Sequence, residues 1–404
     1  MTVMKELSPE TIDFIRMHGK DDVRTLALQA KRFPEVDMAE AVVQIAGRQI
    51  AEKKIPFWAQ TAGIRYPQHL SMEQCSSEVT ARYKASLVDG ESFTDLTAGF
   101  GVDCSFIARR FSRADYVERQ EVLCELARHN FPLLGLNHIT VHHADGKEYL
   151  EGMNPVDCLF LDPARRDAHG GKTVAIADCE PNVCELEPLL VEKGRTVMVK
   201  LSPMLDMASA LNDLKYVREL HIVAVNNECK ELIIILRKQN KESDDTGNEV
   251  VISCEQVVNN SVRQHLDFTV QQERNAVCTF TDKVGAFLYE PGAALLKAGA
   301  YRVLSERFGV DKLHPNSHLY TSEALADFPG RCFRVKEVSG FGKKELKSFL
   351  QGVEKANLTV RNFPATVAEL RKKLKLKEGG EVYLFATTLN NGEKILIKCE
   401  KVSV

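Results

Sequence analysis

Ser92-Phe93-Thr94-Asp95-Leu96-Thr97-Ala98-Gly99-Phe100-Gly101-Val102-Asp103 is the stretch whose reading decides the fold. A short run of strand-forming residues ends on a carboxylate. Two glycines one residue apart follow, and then a segment of helical length. Glycine has no side chain, so the backbone of such a turn can approach a ligand closely, and the first amides of the following helix face it. A strand feeding a helix through a glycine turn is the opening of a parallel β-α-β unit.

The same texture continues downstream. Short apolar runs recur at ADYVE (114–118), ITVHH (139–143), VDCLFLD (156–162), RTVMVKL (195–201), HIVAV (221–225) and ELIIILR (231–237), most of them separated by helix-length segments. Strands alternating with helices predict a doubly wound parallel sheet covered on both faces. The final pair differs. Only NNECKE (226–231) lies between HIVAV and LIIILR, too little for a crossover helix, so these two strands are predicted to be antiparallel. EVVISC (249–254), after a polar turn, is a candidate to extend that hairpin.

Upstream, residues 1–71 read as helical. Ser8-Pro9 is an N-cap followed by proline at the first helical position, Asp37 and Glu40 form a capping-box pattern, and Ser71 with Gln74 forms another that predicts one helix running to Gly90. Residues 72–255 then form the α/β core. Residues 256–330 read as a small α/β unit, with Pro291 near the start of a helix ending by Gly309. Residues 331–404 read as β-α-β-α-β-β, closed by a hairpin around Asn390-Asn391-Gly392.

Composition bounds the class. The 404 residues are 44% hydrophobic and 27% charged, as in folded soluble proteins, with no apolar run long enough to span a bilayer. The eleven cysteines include no C-x-x-C, and several sit in apolar runs, as reduced cysteines of a cytoplasmic protein do. The acidic N-terminal stretch has no signal-like apolar region. Cys179 with Cys184, and His314 with His318, lack a matching second pair, so no metal site is expected. Residues 331–404 hold sixteen Lys+Arg against eight Asp+Glu, a net +8, which leaves −11 for the rest of a chain whose total is −3. A basic end on an acidic body points to an anionic partner, although a charge run is equally read as a solvated face.

The acidic strand ends carry the chemistry. A dinucleotide fingerprint, G-x-G-x-x-G/A, fits poorly because Cys104 stands where a third small residue is needed. The spacing from Asp95 to Gly101, D-x-x-x-G-x-G, resembles motif I of class I methyltransferases instead. Glu118, at the second strand end, suits ribose hydroxyls. Asp145 ends the third strand and Asp162 the fourth. Together with the antiparallel terminal pair, residues 72–240 resemble the class I fold. The resemblance implies S-adenosylmethionine as cofactor, with Asp95, Thr97, Gly99, Phe100, Gly101, Glu118, Asp145 and Gly146 lining its site.

The loop Asp162-Pro163-Ala164-Arg165 resembles the D-P-P-R and D-P-P-Y loops of nucleic-acid methyltransferases. That likeness implies that Asp162 and the Pro163 carbonyl orient an acceptor nitrogen, with Arg165 stacking on a base or meeting phosphate; Ala164 departs from the pattern. Arg165 and Arg166 can instead simply pair with Asp162 or Asp167. Cys229 is a candidate nucleophile for carbon methylation, though its apolar surroundings favour a structural role. Lys200 and Ser202 end the fifth strand and are placed in the cleft, and Glu228 and Glu231 are either cleft carboxylates or a solvated loop.

The C-terminal segment is similar to the THUMP-like domain, and the segment before it to the ferredoxin-like unit, of a bacterial methyltransferase family. That resemblance implies an RNA partner, tRNA or rRNA, and N-methylation of a base. Methylation of a small molecule or a protein, and a non-catalytic RNA-binding protein retaining the fold, stay open as alternatives.

Overall fold

The computed structural model describes residues 6–165, 175–238, 249–258 and 262–402. The side chains of Arg165, Val258, Val262 and Arg263, and the whole of Arg166 and Asp167, lie outside the described set.

The N-terminal segment is helical: α1 (Pro9–Met17), α2 (Val23–Leu28), α3 (Met38–Lys54), α4 (Pro56–Gln60), α5 (His69–Gln74) and α6 (Glu78–Ser86). Ser8 accepts from the Thr11 amide with Pro9 at the first helical position, and Asp37 caps α3 through the Glu40 amide, both as expected. The single helix expected from Ser71 is two. Ser71 lies inside α5, the backbone turns extended at Cys75, and Ser77 is the cap of α6, accepting from Thr80 N–H. The break brings Ser76 into a buried position.

The core strands are β1 (Gly90–Asp95), β2 (Phe111–Glu118), β3 (Ile139–His143), β4 (Val156–Leu161), β5 (Gly194–Leu201), β6 (Val217–Val225), β7 (Glu228–Leu236), β8 (Val251–Val258) and β9 (Val262–Thr269). Between them run α7 (Val102–Ile107), α8 (Glu121–Leu133), α9 (Gly146–Gly152), α10 (Val183–Lys193) and α11 (Met207–Asp213). The nine strands form one sheet in the order β9-β8-β6-β7-β5-β4-β1-β2-β3, and β3-β2-β1-β4-β5 pair in parallel. This is a doubly wound sheet whose order reverses between β1 and β4, so ligands belong outside the carboxyl ends of those strands. Ala164–Arg165 makes a short antiparallel pairing with Cys179–Glu180.

β6 and β7 form a hairpin. Its turn is tighter than the six residues expected from sequence, because Asn226 (φ 50°) and Asn227 (φ 63°) supply the two left-handed residues of a two-residue turn and β7 begins at Glu228. EVVISC does extend that hairpin, carrying the sheet on from the β6 side. β8 lies beside β6 and parallel to it, and β9 pairs antiparallel with β8, so the sheet runs on to Thr269. The chain clusters into two compact units, residues 1–218 with 233–243, and residues 219–232 with 244–404.

In the second unit, α12 (Val270–Asn275) leads to β10 (Phe287–Pro291), α13 (Ala293–Ala298) and α14 (Arg302–Phe308). The helix expected from Pro291 to Gly309 is thus a strand and two helices. Pro291 closes β10, and Gly299 turns left-handed to end α13. After β11 (Asp311–Lys312) and β12 (Tyr320–Ser322) come β13 (Gly330–Ser339), α15 (Lys343–Phe349), β14 (Lys355–Arg361), α16 (Val367–Leu374), β15 (Lys377–Thr388) and β16 (Lys394–Lys401), the β-α-β-α-β-β order read from sequence. All seven strands make one sheet, β11-β12-β10-β13-β16-β15-β14. Helices α15 and α16 share a core with it through Phe349, Leu370, Leu358, Leu384 and Leu396. Glu290 on β10, only 2% exposed, takes an ion pair from Arg331 on β13 and another, 2.9 Å long, from Arg361 on β14.

Candidate active site

Because β1 to β4 are parallel, Asp95, Glu118 and Asp162 close their strands on one edge of the sheet, and Asp145 lies two residues beyond β3. Backbone bonds stitch the loops together there. Leu96 N–H donates to Phe160 O, Ala98 N–H to Val117 O, and Ala144 N–H to Glu118 O, at 3.0–3.1 Å.

The glycine turn is built to come close. Gly101 N–H closes it on Ala98 O at 2.8 Å, and Gly101 has φ 87°, a conformation that suits glycine alone. A Cβ there would also stand 3.0 Å from Phe131. At Gly99 a Cβ would meet nothing nearer than 3.9 Å, so the turn faces open space on that side. Gly146, first residue of α9, presses on the same loop from beside it: a Cβ would lie 2.1 Å from Leu96 O.

Asp95 is fully buried. Its Oδ1 accepts from the Thr97 amide at 3.1 Å, while Oδ2 has no hydrogen-bond partner. Burial pushes its carboxyl well above the usual range; the Thr97 amide opposes this, and the nearby charges of Asp103, Asp162 and Glu118 add to it. A buried unpartnered carboxylate oxygen costs roughly 1–3 kcal/mol or more. A cationic donor arriving from the open side of the Gly99 turn would satisfy it. The orphaned oxygen, the open turn and the neighbouring acidic strand ends fit a positively charged, adenosine-bearing cofactor such as S-adenosylmethionine.

The other expected cofactor residues hold the loops as well as facing the edge. Glu118 Oε2 accepts from Gly99 N–H and Oε1 from Gln120 N–H, both at 2.9 Å. An ionised carboxylate has about four acceptor positions, so capacity for ribose hydroxyls is left. Asp145 Oδ1 caps α9 through the Lys147 and Glu148 amides, the helix-cap role such a residue fills in any strand-to-helix loop. Thr97 Oγ1 accepts from Asp162 N–H at 2.6 Å. Phe100 turns its ring into the core, 4.8 Å from that of Trp58, so only its backbone belongs to the turn.

Sequence reasoning missed a charged cluster beneath this edge. Asp103 of α7 meets Lys84 Nζ at 3.1 Å and Lys200 Nζ at 3.6 Å, and Ser76 Oγ donates to it at 2.7 Å. Lys200 also contacts Ser76 Oγ at 3.1 Å and pairs with Asp162 Oδ2. Burial opposes the Asp103 charge, but Lys84, Lys200 and Ser76 outweigh it and hold the carboxyl below its usual range. The available signal was a lone carboxylate in VDCSFI, a helix whose every residue is buried, because a buried charge needs partners.

Three other candidates, Glu228, Cys229 and Glu231, lie on β7. Burial pushes the Cys229 thiol up to about 11, which suits a structural cysteine on β7 better than a nucleophile. Glu228 is exposed and pairs with Lys230 at 2.6 Å, whereas Glu231 is buried. All eleven cysteines are free, and among the described residues no group of three His, Cys, Asp or Glu is placed to hold a metal. No described helix is long and apolar enough to cross a membrane.

Known proteins bear on these observations at several points. Residues 330–401 match a THUMP domain-like family model, and residues 287–329 match a ferredoxin-like domain. The crystal structure of a putative methyltransferase from Porphyromonas gingivalis W83 is 34% identical, with both chains covered in full and a TM-score of 0.87. An uncharacterized S-adenosylmethionine-dependent methyltransferase of Mycobacterium tuberculosis H37Rv is 23% identical over 325 residues, 80% of this chain and 84% of that one.

Proposed function

Given that the chain belongs to the S-adenosylmethionine-dependent methyltransferases that carry a ferredoxin-like unit and a THUMP-like domain, we propose that its acceptor is a base nitrogen of RNA. The observation that carries this reading is the 2.6 Å bond from Asp162 N–H to Thr97 Oγ1, which makes the acceptor-type loop and the cofactor loop neighbours. When bound, S-adenosylmethionine supplies an electrophilic methyl group on a cationic sulfur.

The chain's own residues do the rest by placement. Asp95 takes the cofactor's amino-acid end on its unpartnered oxygen, Glu118 takes the ribose, and Asp145 with Gly146 borders the adenine. Asp162 and the Pro163 carbonyl accept the two N–H groups of the acceptor amine and turn its lone pair toward the methyl carbon. Such orientation is itself a large part of catalysis. Arg165 follows in the same loop and would meet the base or its phosphate.

The THUMP-like match and the +8 charge of residues 331–404 support RNA as the partner. Lys343, Lys344 and Lys347 of α15 are exposed, as are Lys372 and Lys373 of α16 and Lys375 just after it. Both helices pack on one core cluster, so their outward faces offer phosphate contacts.

The test is transfer of tritium from methyl-labelled S-adenosylmethionine into RNA fractions from cells lacking the gene. Label in one tRNA or rRNA species, lost in Asp162→Ala with cofactor affinity retained, is expected. Changing Lys372, Lys373 and Lys375 to Gln should weaken RNA binding and flatten its salt dependence, each lost phosphate contact lowering the log-log slope by roughly 0.7–0.9. Label entering only protein or small molecules would overturn the RNA reading.

A further inference from the structure

The buried cluster brings two lysines to one core carboxylate. Asp103 is already met by Lys84, whose side chain is fully buried, at 3.1 Å and by the Ser76 hydroxyl at 2.7 Å. Lys200 stands farther from it, at 3.6 Å, and pairs with Asp162 Oδ2. Lys200 thus links two carboxylates, one in the core and one at the cleft. The Asp162 side chain is 38% exposed, whereas those of Lys200 and Asp103 are 13% and 10% exposed. A half-exposed carboxylate is therefore tied to a nearly enclosed cation, itself seated on Ser76 and Asp103.

From this arrangement we infer that Lys200 is a positioning residue for methyl transfer: by holding Oδ2 it fixes the rotation of the Asp162 carboxylate, so that Oδ1 is presented to the acceptor. The inference rests on the acceptor role given to Asp162 above. Three separate parts of the chain set the clamp. Lys200 comes from the end of β5, Asp103 from the helix that follows the glycine turn, and Ser76 from the break between α5 and α6. The same helix start that shapes the cofactor turn thereby fixes the acceptor carboxylate through one ammonium group. A carboxylate released from such a clamp would sample several rotamers; losing the hydrogen-bond partner that orients a metal ligand costs about 10–100-fold, and a loss of that order is expected here.

A double-mutant cycle tests it, using single-turnover transfer of labelled methyl into RNA from cells lacking the gene, with cofactor affinity measured by calorimetry on each variant. Lys200→Met is expected to slow transfer about 10–100-fold with S-adenosylmethionine affinity within about twofold of wild type. In an Asp162→Asn background, which removes the charge that the ammonium pairs with, the same substitution should cost several-fold less than it does in wild type. Should Lys200→Met not fold, Lys200→Gln, which keeps a donor but no charge, carries the same cycle. Wild-type rates in the lysine variant, losses that multiply in full on Asp162→Asn, or cofactor affinity falling in step with the rate would each overturn the positioning role. If wild-type protein labels no RNA, the proposed function fails and this inference fails with it. Label in wild type with no loss in the Lys200 variant removes the inference alone.

Discussion

Substituting Gly146 by alanine tests how tightly the cofactor loop is held. A Cβ there would lie 2.1 Å from Leu96 O and 3.2 Å from Leu96 C. Ordinary contacts of a Cβ begin near 3.4 Å, so either α9 or the loop must yield by about 1 Å or more, and overpacking of this kind costs about 1–3 kcal/mol. Alanine recovers up to about 1 kcal/mol of helix propensity, which leaves a net loss of about 0–2 kcal/mol. The larger effect falls on binding. Leu96 sits between Asp95 and Thr97, and a displacement of about 1 Å at such a site can cost on the order of 100-fold in rate. Calorimetric titration with S-adenosylmethionine should show affinity at least about tenfold weaker, alongside a modest fall in melting temperature. Gly152→Ala, at the other end of the same helix with nothing within 4 Å of the new Cβ, is the control and should bind normally. Equal affinity in the two variants would refute the claim that α9 fixes the loop.

Two further predictions concern buried charge. Asp95 holds its proton in the folded protein at pH values where the unfolded chain, with a carboxyl near 4, has lost it. Stability therefore falls as pH rises from about 4 through the raised folded value, and the cost is in full force above that value. Asp95→Asn should melt higher than wild type in that range, converge with it below about pH 4, and bind S-adenosylmethionine more weakly. Melting curves across pH check this, and a stability difference independent of pH would refute it. Lys84→Met removes a fully buried partner of Asp103 and should cost about 3–5 kcal/mol, less whatever Lys200 recovers. Urea denaturation, read on the transition that S-adenosylmethionine shifts, measures it, and Lys84→Met combined with Asp103→Leu should be more stable than Lys84→Met alone.

The parts of the fold legible in sequence were those set by local chemistry. Seven apolar runs became strands, the central parallel ones because they are buried on both faces, and the carboxylates at the strand ends were visible as acidic residues closing apolar runs. Ser8-Pro9 and Asp37 were legible as caps for the same reason. What escaped depended on distant partners. Ser71-Gln74 looked like a cap, yet the competing Ser77 made it, and that break carries Ser76 into the cluster. β10 escaped because FLYEP is short and ends in a proline that equally well opens a helix. The place of β8 beside β6 is a matter of strand order, which no local pattern encodes. In the site, the edge carboxylates were legible, while the pairing of Asp162 with Lys200 joins residues 38 positions apart and the Ser76–Lys200 contact spans 124.

The ion pairs of Glu290 bear on modularity. The ferredoxin-like and THUMP-like matches meet between residues 329 and 330, yet β10 from the first lies inside a single sheet beside β13 from the second. A cut at that junction would strip Arg331 and Arg361 from the Glu290 carboxylate they neutralise and would bare the edge of β10. The two segments are therefore separable as stretches of sequence but not as physical parts. Transplanting the basic domain onto another catalytic core would require carrying β10 along with it.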